Sequence, residues 1–223
     1  MVWTMAGCGG KAAQDDQPDT AGTVQPGVTE SDAAGQVQAG TDDTDGAQGS
    51  VNGGVYTNEF AGIGCTLDET WTFYTEAQIA EINGFLTEGT SDEEMRQLME
   101  ENQSVYDMYA SSTDGLMTMN VVFQNMGLLF GTTMSAQDYV ELSAEQLPDA
   151  MGTYGFEDVT ASVTTAEFAG AECPAIAITA TVQDTPMYEL LVCMKEGNYI
   201  YCVTLCSYTE DVTAQMAALF YTL

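Results

Sequence analysis

The sequence predicts an α+β domain, a meandering antiparallel sheet with helices packed over it, preceded by a disordered N-terminal linker. Three observations carry this reading. Residues 9–54 contain no Leu, Ile, Phe, Met, Trp or Tyr, so they cannot bury enough apolar area to offset the entropy of ordering them. From residue 55 onward, short runs alternate apolar and polar side chains between turn residues, the period of half-buried strands. The connections between these runs are too short for parallel crossovers, which makes sequence neighbours antiparallel. The chain therefore divides into residues 1–8, a linker over 9–54 and a domain over 55–223, and about 170 residues is a common single-domain size.

The elements follow in order. Val55–Phe60 and Ile63–Leu67 read as short strands before a turn and Trp71. Thr75-Glu76-Ala77-Gln78 has the capping-box pattern ahead of an apolar stripe of Ile79, Ile82 and Leu86. Ser91-Asp92-Glu93-Glu94 repeats that pattern before Met95, Leu98 and Met99, so two short helices fill residues 76–102. Residues 105–112 and 116–124 form a hairpin around Thr113-Asp114-Gly115. In its second strand Met117, Met119, Val121 and Phe123 alternate with Thr118, Asn120 and Gln124, which predicts one face toward water. From Ser135 a longer helix carries Val140, Ala144, Leu147 and Met151 on one stripe, with Pro148 expected to bend or interrupt it. Strands near 157–168, 174–182, 186–194 and 199–207 come next, and a last helix is expected near 210–222 from Val212, Met216, Leu219 and Phe220.

One pair can be registered. With Gly197-Asn198 as a two-residue turn, Tyr188, Leu190, Val192 and Met194 share a face with Tyr201, Val203 and Leu205. The same register sets Cys193 directly opposite Cys202 at a non-hydrogen-bonded position, where side chains approach closest. A cross-strand disulfide between them is the expectation in an oxidising compartment, and two packed thiols the expectation elsewhere. Cys65, Cys173 and Cys206 complete an odd set of five besides Cys8, leaving at least one thiol free.

The chain opens Met5-Ala6-Gly7-Cys8-Gly9, which resembles the lipobox of bacterial lipoproteins. In that motif a hydrophobic residue and two small residues precede the Cys that is acylated, so the resemblance implies lipidation of Cys8 and an extracytoplasmic, membrane-anchored protein. Met5 stands where Leu is usual, and the basic segment and the apolar run of roughly 7–15 residues that belong before such a motif are missing. The expectation is that they lie upstream of Met1 or were trimmed. A polar stretch behind the Cys is the usual tether arrangement; 46 residues of flexible coil span roughly 40 Å root-mean-square.

Residues 55–223 resemble the domains of clostridial surface lipoproteins. The opening Tyr56-Thr57-Asn58-Glu59-Phe60, Gly62-Ile63, Thr66-Leu67 and Trp71 is similar to domains of PsbP-like fold, with Asp68 and Thr70 where Pro and Gly usually sit. That resemblance implies an α+β fold and brings no catalytic residues with it.

Charge bounds the function. There are 34 Asp and Glu against three Lys and Arg and no His, for a net charge of −31. The linker carries −7 and the domain −24. Nucleic-acid affinity rests on clustered Lys and Arg, so nucleic acid is excluded as a partner, and anionic headgroups and phosphorylated substrates are disfavoured. A cationic or neutral ligand, or a protein partner, is left. High net charge also serves solubility without any site. The lack of His removes Ser-His-Asp and Cys-His nucleophile activation. Phosphoryl transfer lacks its cationic clamp and its Gly-rich loop.

No cofactor motif and no zinc spacing is present. Asp42-Asp43-Thr44-Asp45-Gly46 fails as a calcium loop, because the alignment puts Thr41 at the first position and Asn52 at the twelfth. The pairs Glu93-Glu94, Glu100-Glu101 and Glu157-Asp158 read as solvated positions rather than a catalytic dyad, and Tyr106, Tyr109 and Tyr199 as strand aromatics that either line a binding face or pack in the core. The leading expectation is a tethered, non-catalytic binding module with no catalytic and no metal-binding residues. The rivals are a carboxylate-dependent glycan or peptidoglycan hydrolase and a calcium-dependent adhesin.

Overall fold

The computed structural model describes residues 48–83 and 104–223, apart from the side chains of Leu128 and Leu129. Within them lie eleven strands: β1 (Ser50–Asn52), β2 (Val55–Asn58), β3 (Ile63–Thr66), β4 (Trp71–Phe73), β5 (Ser104–Ser112), β6 (Met117–Asn125), β7 (Glu157–Phe168), β8 (Ala171–Val182), β9 (Thr185–Glu196), β10 (Tyr199–Ser207) and β11 (Phe220–Thr222). The described helices are α1 (Glu76–Ile82), α2 (Gly127–Thr133), α3 (Ala136–Thr153) and α4 (Thr213–Ala217). The fold class is the α+β architecture read from the sequence, with every strand pair antiparallel.

Seven strands form a large sheet in the order β4-β5-β6-β10-β9-β8-β7, and four form a small one in the order β1-β2-β3-β11. Strands β7 to β10 are the meander, each hairpin closed by two residues. Its turns use backbone with positive φ, at Ala169 and Gly170, at Gln183 and Asp184, and at Gly197, which matches the twist of the flanking strands. The register at the third turn agrees with the sequence: Tyr201 faces Met194, Val203 faces Val192, and Leu205 faces Leu190.

Alternation sorts side chains to two faces. Val105, Met108, Met119, Val121, Phe123, Val192, Tyr201, Val203 and Leu205 of the large sheet bury against Tyr56, Ile63, Cys65 and Phe220 of the small sheet. The other face packs Ile176, Ile178, Ala180, Met187 and Cys193 against Val140, Leu147 and Met151 of α3. Tyr106, Tyr109 and Val122 pack against Tyr74 and Ile79 beside α1. The protein is thus three layers: small sheet, large sheet, helices.

The capping box expected at Thr75 forms, and α3 carries one that the sequence reading did not name. Thr75 Oγ1 accepts from the Gln78 N–H while Gln78 Oε1 accepts from the Thr75 N–H, and Ser135 and Asp138 repeat the exchange at α3. The second helix expected from Ser91 lies outside the described residues, as do Glu93-Glu94 and Glu100-Glu101. No described helix is long and apolar enough to cross a membrane.

Several expectations are corrected. Of the expected bend or interruption at Pro148 the interruption does not occur, because burial of Val140, Ser143, Leu147 and Met151 along α3 outweighs the loss of one backbone donor. The last helix shrinks to Thr213–Ala217, and Phe220–Thr222 pairs with β3 instead. Phe220 gains more there, its ring tilted against Phe168 at 4.8 Å, than a frayed final turn would give it. The second face of β6 meets little water: Asn120 and Val122 are buried and Thr118 and Gln124 half-buried. Ser50–Asn52, read as linker, form β1 against Val55–Thr57.

Candidate functional site

Two groups of chemically capable side chains stand out, one on each face of the large sheet. The first centres on Asp107. In β5, Tyr106 pairs with Val122 and Met108 with Val121, so Asp107 is the extra residue of a β-bulge. The bulge turns its carboxylate toward the small sheet. Oδ1 accepts the Gly49 N–H at 2.8 Å, while Oδ2 accepts the Tyr56 hydroxyl at 2.5 Å, the Asn58 Nδ2 at 2.9 Å and the Gly49 N–H at 3.0 Å. Asn58 in turn accepts the Ala61 N–H through Oδ1 at 2.7 Å.

Burial pushes the Asp107 carboxyl above its ordinary value, and the Tyr56, Asn58 and Gly49 donors pull partly against that. Burial first, then the charge of Asp107, raises the Tyr56 phenol well above its usual value. Tyr201 is raised for the same two reasons. Beside this network Phe60 packs edge-on against Tyr199 at 5.6 Å and tilted against Tyr201 at 6.1 Å. Every described donor to Asp107 comes from residues 49–58. The carboxylate is a clasp between the two sheets, with its acceptor capacity taken up by its own chain.

The second group is the thiol pair. Cys193 and Cys202 are direct partners in the β9–β10 register, and their sulfurs stand 3.4 Å apart as free thiols. Cys193 is held as the thiol, well above its usual value, by its hydrogen bond with Cys202 and then by burial. Tyr139 of α3 is raised beside them, first by Cys202 and then by burial. Burial also pushes Cys65 up to about 12 and raises Cys173. A buried protonated thiol is a poor nucleophile, so the register brings the two sulfurs together without activating Cys193 for attack.

The remaining predicted positions scatter. Cys8 lies outside the described residues. Glu157 and Asp158 are exposed at the start of β7. Tyr106, Tyr109 and Tyr199 are buried, so they line no binding face. A surface depression of about 190 Å³ lined by Thr66, Leu67, Asp68, Trp71 and Leu219 is open, but it falls below the roughly 300 Å³ at which ligand pockets begin. Among the described residues no group of three or more Cys, Asp or Glu is disposed to hold a metal. Sequence reasoning missed Asp107, although one signal was there: it is the only acid in the run Val105-Tyr106-Asp107-Met108-Tyr109-Ala110.

No family model and no curated protein matches the chain. Among solved structures it is similar to cyanobacterial PsbP (CyanoP) from Synechocystis sp. PCC 6803, determined in solution, with 12% identity and a TM-score of 0.44 over 83% of this chain and 99% of that one. A likeness at this level assigns neither a family nor a role.

Proposed function

We propose that this chain is an extracytoplasmic lipoprotein, anchored to the cell membrane through an acylated Cys8, whose domain is a non-catalytic module that binds a cationic or neutral partner. The observation that carries the reading is the surface. Eighteen of the twenty described carboxylates are exposed. The one described cation besides them, Lys195, donates to the Gly197 carbonyl of its own turn at 2.7 Å. Such a field concentrates cations and repels anions. The tether rests on Ala6-Gly7-Cys8 and the polar residues 9–47 that follow.

Intact-mass measurement of the native product tests the anchor: a diacylated Cys8 at the N-terminus of a membrane-fraction protein is expected, and an unmodified N-terminus in the soluble fraction overturns it. Incubation with peptidoglycan and with soluble glycans tests the module. No release of fragments is expected, whereas turnover abolished by a carboxylate substitution makes the protein a hydrolase.

A further inference from the structure

The two sheets have four outer strands, and they are unequal. β1, β4 and β11 are three residues each, whereas β7 has twelve. A short edge offers little backbone to a passing chain; a long one presents a row of amide and carbonyl groups. Among the described residues no strand pairs with β7 on the side away from β8.

The register shows which groups are on offer. Ala169 and Gly170, with φ of 47° and 78°, form a two-residue turn that makes Phe168 and Ala171 the closing hydrogen-bonded pair. Alternation then aims the N–H and C=O of Ala161, Val163, Thr165 and Glu167 outward. The ladder with β8 is regular over nine residues, Thr160–Phe168, and a bulge with Asp158 at φ 51° ends it below Thr160. No Lys and no Pro blunts this stretch.

Side chains along the edge give its chemistry. Val159 to Ala166 are uncharged, and Val163 is 42% exposed. Exposed acids stand at both ends, Glu157 and Asp158 below and Glu167 above, the last directly across from Glu172. At the rise of a strand the two ends are separated by about 30 Å. A second copy fits poorly: two-fold antiparallel pairing about Val163 brings Glu167 of one copy to the same end of the pair as Glu157 and Asp158 of the other, between chains that each carry −31.

We propose that the free edge of β7 takes up an extended peptide with an uncharged centre and Lys or Arg at its ends, which adds to the large sheet as an eighth strand. The proposal rests on the reading of the domain as a binding module and names its surface. Backbone pairing supplies affinity, and the terminal charges supply selection.

The test uses the full chain produced without acylation and a capped synthetic peptide of alternating Thr and Val between terminal Lys pairs, with binding followed by calorimetry and amide chemical shifts. Binding with shifts centred on Thr160–Phe168 is expected, weakening as salt rises. Val163→Pro deletes an outward N–H and leaves the β8 ladder whole, and should weaken binding at least about tenfold. Should that variant fold poorly, the same peptide N-methylated at alternate amides asks the question of untouched protein, again with about tenfold loss expected. Equal binding by Val163→Pro or by the methylated peptide overturns strand addition while leaving a binding module elsewhere on the surface. No binding at all, equal binding of a Glu-ended peptide, or a dimer in sedimentation that Val163→Pro dissolves overturns the proposed partner.

Discussion

The two faces of the large sheet are buried by different means. Toward α3 the contacts come from the meander β7–β10, in which each strand meets its sequence neighbour through a two-residue turn, so register is set locally. Toward the small sheet the partners are far apart in sequence: Gly49 reaches Asp107 across 58 positions and Tyr56 reaches it across 51. Apolar packing alone tolerates sliding between such distant surfaces. The difference teaches where polar specificity is spent: on the interface that no turn can align.

The sharpest way to break this contrast is to remove the clasp. Asp107→Ala leaves the Tyr56 hydroxyl, Asn58 Nδ2 and Gly49 N–H without their acceptor, and urea unfolding should show a loss of about 3–5 kcal/mol. Loosening should be greatest in residues 49–58, which hydrogen exchange resolves, while β8–β10 amides keep the higher protection.

The opposite face should respond in the opposite sense. Thiol–disulfide exchange with a small disulfide oxidant joins Cys193 to Cys202 and passes their two hydrogens to the oxidant's sulfurs. The closed loop is small, so stability should rise by about 2–3 kcal/mol, and Cys202→Ser should abolish the redox response. Protein lacking Cys8 that still titrates five thiols after oxidation would overturn the pairing.

A finer cut is Tyr56→Phe, which deletes one donor to the carboxylate and should cost about 1.5–3 kcal/mol. It also carries a pH signature. Because Asp107 is raised in the folded state, folding favours its protonated form; its contribution is present below the ordinary Asp value and lost as pH rises through the raised midpoint. Removing the Tyr56 donor should move that midpoint higher still, seen in carboxyl carbon chemical shifts. In contrast Asp114, lowered by the Ser112 hydroxyl and the Leu116 N–H, should titrate below the ordinary range. The smallest effect is expected at Asn120, whose buried Oδ1 has no hydrogen-bond partner among the described residues. Asn120→Val should raise stability by about 1 kcal/mol in the same urea series.

How much of this was legible depended on whether the signal was local. Gly197-Asn198 set the β9–β10 register and with it the Cys193–Cys202 pairing, since turn chemistry and strand alternation act within a dozen residues. The two other meander turns were harder: Ala169, Gln183 and Asp184 adopt positive φ without being glycine, so tertiary context rather than residue preference sets them. β11 was missed because Val212, Met216, Leu219 and Phe220 also satisfy a helical spacing, and only contact with β3 and Phe168 decides between the two. β1 has no apolar pattern, and three residues are too few to show one. The Asp107 clasp could not be assembled from sequence, because an isolated acid in an apolar strand says that it needs donors, not that they come from 58 residues away.

The small sheet also sets an order of assembly. Its outer strand β11 follows the whole meander in chain order and pairs with β3 around Gly64, so during synthesis that sheet stays open until residues beyond β10 have been added. The meander, whose contacts are between neighbours, has no such wait, and local topologies of this kind form fastest. Until β11 arrives, the apolar side chains of β5, β6 and β10 that belong under the small sheet stand uncovered, a window in which a nascent molecule depends on its crowd of negative charges to keep it from its siblings.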